Sequence, residues 1–189
     1  EKNGDRTPIS ALEKYGKSIK KSKKVVSDFP ESKYVNSAII LMAKSQFHRQ
    51  EYDLAINNIK SILNSVENKQ KEEAIYWIAL CKWKKGNLQT AINELEDLIS
   101  KSQINTIKSM AFLSLSEIFN ELKDLNKSID FLQEAGKLTN ERSQKGIIYN
   151  KLAEMAFDKK DFKLALEGYE KVVSFSLSKK ILRMLIYKY

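Results

Sequence analysis

Between Glu72 and Ser100, apolar residues recur at helical spacing in two runs separated by a polar corner. Ile75, Ile78, Ala79 and Trp83 fall in the first run, and Leu88, Ala91, Ile92, Leu95, Leu98 and Ile99 in the second. Each is the pattern of an amphipathic helix that buries one face. The corner, Lys85-Gly86-Asn87, supplies a glycine free to take the left-handed conformation that ends a helix and an asparagine suited to cap the next. The two helices are expected to pack antiparallel, with Ala91 letting them approach closely.

The same unit recurs along the chain. Aligned on the small residue three places after the corner's large apolar side chain, the copies fall at Ser18, Ala55, Ala91, Ser128 and Ala165, with spacings of 37, 36, 37 and 37. The matching corners are Lys14-Tyr15, Glu51-Tyr52, Asn87-Leu88, Asp124-Leu125 and Asp161-Phe162, each a polar residue followed by a large apolar one. A fixed period slightly longer than ~34 residues, filled by helix-turn-helix, is the signature of tetratricopeptide arrays. The expectation is an all-α fold, a right-handed solenoid of antiparallel helix pairs in which each unit touches its neighbours.

In chain order, residues 1–8 read as a flexible leader, with Thr7-Pro8 as a helix start. A single array is expected over 9–189: a half repeat at 9–30, full repeats at about 34–66, 71–102, 107–140 and 144–177, and a partial repeat at 179–189. The first helix is expected to stop at Phe29-Pro30, because proline disfavours helical backbone in the residue before it. In the last segment Ile181, Leu182, Met184, Leu185, Ile186 and Tyr187 are too apolar for a solvent-facing cap. The natural chain is therefore expected to continue past Tyr189, the alternative being that this helix docks on a partner or on a second copy.

Composition changes the picture little. The net charge of +9 comes from 33 Lys and Arg against 24 acids, and only Arg6, Arg49, Arg142 and Arg183 are arginine. Nucleic-acid readers lean on arginine forks and stacked aromatics, so scattered lysines argue for solvated helix faces and against a nucleic-acid partner. The one dense run, Lys17, Lys20, Lys21, Lys23 and Lys24, is the exception, suited to an anionic membrane surface or an acidic partner. The sequence has no apolar run long enough to span a bilayer, and its one cysteine excludes an intrachain disulfide framework.

With these residues in view, the units resemble tetratricopeptide repeats. Ala43 and Ala79 stand at that family's small position in the first helix, Gly86 at the corner, and Ala55, Ala91 and Ala165 at the small position of the second helix. The family's early tryptophan or tyrosine is kept only as Tyr149, with Ile39, Ile75 and Phe112 in the other units. The stretch containing Phe29-Pro30-Glu31-Ser32-Lys33-Tyr34 is similar to bacterial outer-membrane barrel-assembly tetratricopeptide lipoproteins.

That resemblance implies a non-catalytic scaffold that binds a protein or peptide in a concave groove lined by first helices. The groove residues expected are Lys44, Phe47, Tyr76, Trp77, Leu80, Trp83, Lys84, Glu117, Asn120, Glu121, Asn150, Glu154 and Phe157, aromatic and positive early, acidic later. It further implies a bacterial envelope location on the periplasmic face of the outer membrane. The tether would be an N-terminal lipid anchor outside this sequence, and the role would lie in outer-membrane protein assembly. The alternative is a cytoplasmic adaptor that captures a peptide segment. The carboxylate clamp of chaperone-binding members is not expected, since Ile40, Trp77, Met110 and Ser114 occupy clamp places beside Lys44.

Catalysis is disfavoured. His48 is the only histidine, Cys81 lies mid-helix beside Trp83, and no phosphate-cradling glycine loop or metal-ligand spacing occurs, so no cofactor and no metal are expected.

Overall fold

The computed structural model describes residues 8–175. Those residues form nine helices: α1 (Ile9–Asp28), α2 (Val35–His48), α3 (Tyr52–Ile62), α4 (Asn68–Lys84), α5 (Leu88–Lys101), α6 (Asn105–Glu121), α7 (Leu125–Leu138), α8 (Arg142–Asp158) and α9 (Phe162–Ser174). The expected partial repeat at 179–189 lies outside the described residues, as does the leader before Pro8. The chain divides inside α5 into two compact units, one up to Glu94 and one from Leu95. In the first, α1 packs on α2, α2 on α3 and α3 on α4, and α2 also meets α4; in the second, α6 packs on α7, α7 on α8 and α8 on α9.

Four corners share one backbone solution. Gln50, Gly86, Lys123 and Lys160 all have φ between 64° and 89°, and each of the next residues donates its amide 2.9 Å back to the carbonyl five residues earlier: Glu51 to Gln46, Asn87 to Lys82, Asp124 to Phe119, Asp161 to Ala156. This is the Schellman arrangement, which satisfies the orphan carbonyls of a helix end. The residue after the left-handed one then begins the next helix. Asp124 and Asp161 cap it with their side chains, accepting from the Lys127 and Leu164 amides at 3.1 Å.

The first helix spans Ile9–Asp28 and stops before Pro30, as expected, so Lys14-Tyr15, which matches the other corners in residue type, turns no corner. α1 runs unbroken through Lys14-Tyr15, because no residue before them turns the backbone left-handed, and Tyr15 stacks instead on His48 with centroids 4.8 Å apart.

The small positions repeat as contacts. Ala55, Ala91, Ser128 and Ala165 are fully or almost fully buried. The half-buried Ser18, with Ala55 and Ser128, lies beside the first helix of the following repeat at one position. Ser45 Oγ donates to Ser18 Oγ at 2.9 Å, Cys81 shares a core cluster with Ala55 and Ile59, and Ser128 Oγ lies 3.6 Å from Met155 Sδ. Ser128 Oγ also donates to the Ser116 carbonyl at 2.7 Å, so its buried hydroxyl is satisfied. In the second unit the core is Leu132, Ala135, Ile148 and Leu152, with Phe112 and Met155 against it. Each fully buried leucine or isoleucine of this kind contributes about 1.5–3 kcal/mol.

Two helix glycines set close approaches. A Cβ on Gly136 would lie 2.9 Å from the Tyr149 ring, and one on Gly168 2.8 Å from the Ala153 Cβ. α8 therefore packs on α7 through Tyr149 and on α9 through Ala153.

Candidate protein-interaction surface

First helices carry the residues expected to line a groove, and the two units present them differently. In the first unit an aromatic cluster gathers around Phe47, half-buried on α2. Its ring lies 5.3 Å from that of Trp77, 5.4 Å from His48 and 5.6 Å from Tyr52. His48 is held between Tyr15 and Trp77, whose ring centroid lies 6.0 Å away. This partial burial lowers the His48 pKa from its ordinary value. Lys44 lies over the Trp77 ring at 5.6 Å and is ion-paired with Glu73 of α4. The Trp77 Nε1–H is buried without an acceptor.

Three of the expected groove residues are not available for contact. Tyr76, Leu80 and Trp83 are only 6–7% exposed. The reason is that the stretch of α4 from Ala74 to Trp83 is covered on most sides: Ala74, Ile78, Ala79 and Cys81 are buried as well, and a helical stretch apolar on most sides lies in the interior. Trp83 therefore belongs to the core, with the exposed Lys84 reaching over its ring at 3.4 Å.

In the second unit, Glu117 is not a free acid. Lys151 of α8 reaches it at 2.5 Å, so the charge expected to make this half acidic is neutralised across neighbouring first helices. Asn120 and Glu121 are exposed at the end of α6, and Asn150 and Glu154 are half-buried on α8. Phe157 is 40% exposed and meets the Phe162 ring edge-on at 5.5 Å.

Exposed apolar side chains stand among these polar groups: Leu41 at 51% on α2, and Ile147 at 59% on α8. Both fall on the face that helical spacing assigns to the groove. Leu54, Leu166 and Val173, exposed on second helices, were not expected as surface residues, and their spacing does not distinguish them from core.

The chemistry available is that of binding. Burial, and secondarily the Asp53 carboxylate, push the Cys81 thiol up to about 12, so it stays protonated and weakly nucleophilic at neutral pH. Among the described residues no cluster of three His, Cys, Asp or Glu could hold a metal ion, and no helix is long and apolar enough to cross a membrane.

Comparison with known proteins bears on the same architecture. No curated protein sequence matches the chain. Among solved structures, MamA (residues 41 to end) from Desulfovibrio magneticus RS-1 is 18% identical, with 92% of this chain and 96% of that one covered at a TM-score of 0.57. BtubC from P. vanneervenii is 12% identical over 90% of this chain and 74% of that one, TM-score 0.65. PlcR of Bacillus thuringiensis, solved with the peptide PapR7 and DNA, is 15% identical over 95% of this chain and 69% of that one, TM-score 0.70. At such identities the likeness is one of fold, a tetratricopeptide-like solenoid of helix pairs. A more specific match comes from the sequence profile of the family described as soluble NSF attachment protein, SNAP, which fits residues 55–189, from the buried Ala55 of α3 onward. The small-residue register that builds α3 to α9 thus coincides with the matched region, and the chain belongs to the soluble NSF attachment protein (SNAP) family.

Proposed function

We propose that this chain is a non-catalytic interaction scaffold that holds a protein or peptide segment against the exposed face of its first helices. The observation that carries this reading is that the apolar side chains Ile147 and Phe157 stay exposed on α8, on either side along its sequence of Lys151, which is ion-paired with Glu117. Exposed apolar side chains beside paired charges can be covered by a partner without stranding a charge. The attachment role in the family's description and the peptide complex of PlcR both support a protein ligand.

The Phe29-Pro30-Glu31-Ser32 phrase favours an envelope scaffold on the periplasmic face of the outer membrane, serving outer-membrane protein assembly. The family match favours the alternative, a cytoplasmic adaptor that captures a peptide segment of a partner.

Affinity capture with the intact chain from separated envelope and soluble fractions tests both. An Ile147→Asp, Phe157→Asp variant with unchanged melting serves as the control. Retention of one partner, lost in the variant, is expected; retention equal in both chains would refute the α8 face. The fraction that yields the partner decides the location.

A further inference from the structure

We propose that the cleft between α7 and α9, over Tyr149, is a binding site for a small monocarboxylate. The cleft has a volume of about 180 Å³ and is floored by Tyr149 and Leu152 of α8, with Lys137 of α7 on one side and Leu164, Gly168 and Lys171 of α9 on the other. Both walls and the floor are described residues. Neither Ile147 nor Phe157 lines it, so the site is separate from the face proposed for a protein partner.

The repeat register explains why the cleft lies here. Three places after the small residue, α3 has Asn58, α5 has Glu94 and α7 has Phe131, but α9 has Gly168. In the preceding helix pair the Phe131 ring packs 6.0 Å from that of Phe112, and Tyr149 stands in the register of Phe112. The glycine therefore removes the side chain that covers the equivalent aromatic ring. A Cβ at Gly168 would lie 2.8 Å from the Ala153 Cβ, so the close approach of α9 to α8 keeps that place open.

The polar groups left at the opening are donors without an acceptor. Tyr149 is 8% exposed, its hydroxyl lies against Gly136, 3.1 Å from where a Cβ would stand, and that hydroxyl has no hydrogen-bond partner among the described residues. Lys171 Nζ lies 4.5 Å from the Tyr149 ring centroid, and no carboxylate of the described residues is within ion-pairing distance of it. Lys137 differs, because Glu134 already holds it at 2.5 Å. A carboxylate entering the cleft can accept from the Tyr149 hydroxyl and the Lys171 ammonium, both charge-assisted bonds, while Leu152 and Leu164 meet a short hydrocarbon body.

Charge and size narrow the ligand further. Glu134 and Glu167, the latter on the α9 wall, balance Lys137 and Lys171, so a second negative charge would meet repulsion and a carboxylate is favoured over a phosphate dianion. Pockets for drug-sized ligands span about 300–1,000 Å³. This cleft is smaller and suits a short organic acid or one acidic side chain of a partner.

The test titrates sodium isovalerate into the intact chain labelled at its leucine methyl groups, reading the Leu152 and Leu164 signals by NMR. Saturable shifts in the low millimolar range are expected, with isovaleramide, the neutral isostere, and inorganic phosphate each about tenfold weaker. Lys171→Met and Tyr149→Phe, with melting temperatures checked, should each weaken isovalerate about tenfold, and Lys137→Met should do less. Equal shifts with acid and amide, tighter binding of phosphate, no saturable shift, or parent-like binding by both Lys171→Met and Tyr149→Phe would overturn the proposal. A capped peptide with one central glutamate separates the sources of the carboxylate. Tighter binding than isovalerate supports a partner's side chain, and weaker binding supports a free acid. Failure here leaves the capture experiment on the α8 face unaffected, so the two readings fail separately.

Discussion

Lys151 Nζ lies 2.5 Å from Glu117 Oε1, tying α8 to α6 across two successive first helices. In the first unit Lys44 and Glu73 tie α2 to α4 likewise, with the charges on the two helices reversed. These pairs couple first helices directly, in addition to the second helix between them. Both members of the second-unit pair are 42% exposed, so water screens their attraction. A double-mutant cycle of Glu117→Gln and Lys151→Met, read by urea unfolding, should give a coupling of about 0.2–1 kcal/mol. A coupling absent at low salt would mean that the two helices are held by packing alone.

The left-handed corners predict opposite effects from reciprocal substitutions. Lysine at φ 65° is strained in a conformation that glycine adopts freely. Lys160→Gly should therefore raise stability by about 0.5–1 kcal/mol, and Gly86→Ala should lower it by about 1 kcal/mol or more. Urea midpoints of the two variants decide the matter, and a destabilised Lys160→Gly chain would refute the strain argument.

Alanine is intrinsically the better helix former, by about 1 kcal/mol over glycine, yet Gly168→Ala should destabilise. Its new Cβ would meet the Ala153 Cβ at 2.8 Å, and overpacking of this kind costs about 1–3 kcal/mol. The diagnostic measurement is thermal unfolding of Gly168→Ala and of the double variant with Ala153→Gly. Recovery in the double variant is expected, and its absence would place the cost elsewhere.

Trp83 separates a core role from a surface one. With 6% of the residue exposed, Trp83→Ala should cost about 3–5 kcal/mol. A melting temperature equal to that of the parent chain would return Trp83 to the surface.

How much of this was legible from the sequence depends on which neighbour decides each feature. The period, the capping Asp124 and Asp161 and the small positions were readable because each is set within one helix pair. That Gln50, Lys123 and Lys160 turn left-handed was not, since their side chains carry no preference and the backbone hydrogen bonds impose it. Gly136 and Gly168 read as weak points of their helices until Tyr149 and Ala153 are seen against them. Tyr76, Leu80 and Trp83 were assigned to a groove because spacing reveals which residues share a stripe but not how many sides of α4 are covered. Lys14-Tyr15 matched the corner pattern only in residue type.

Two groups titrate in ways that stability should report. His48 has its folded pKa below the ordinary 6.5, so the unfolded chain binds a proton first, and stability should fall as pH drops below about 6.5. Cys81 ionises only near 12 when folded, against 9.0 ordinarily, so stability should fall as pH rises above about 9, where the unfolded thiol deprotonates first. Urea midpoints across this range, compared with His48→Gln and Cys81→Ala, should show each limb flattened in its own variant. A limb unchanged in its variant would assign that slope to other groups.

The four corners are closed by main-chain donors and acceptors, and that has a bearing on evolvability. Gln50, Gly86, Lys123 and Lys160 differ in size and charge while their backbones follow one path. The turn therefore forms even where a strained non-glycine residue costs it about 1 kcal/mol, so the residue can change while the helix register stays fixed. A chain built this way can exchange its surface chemistry unit by unit, acquiring new ligands without having to rediscover how to fold.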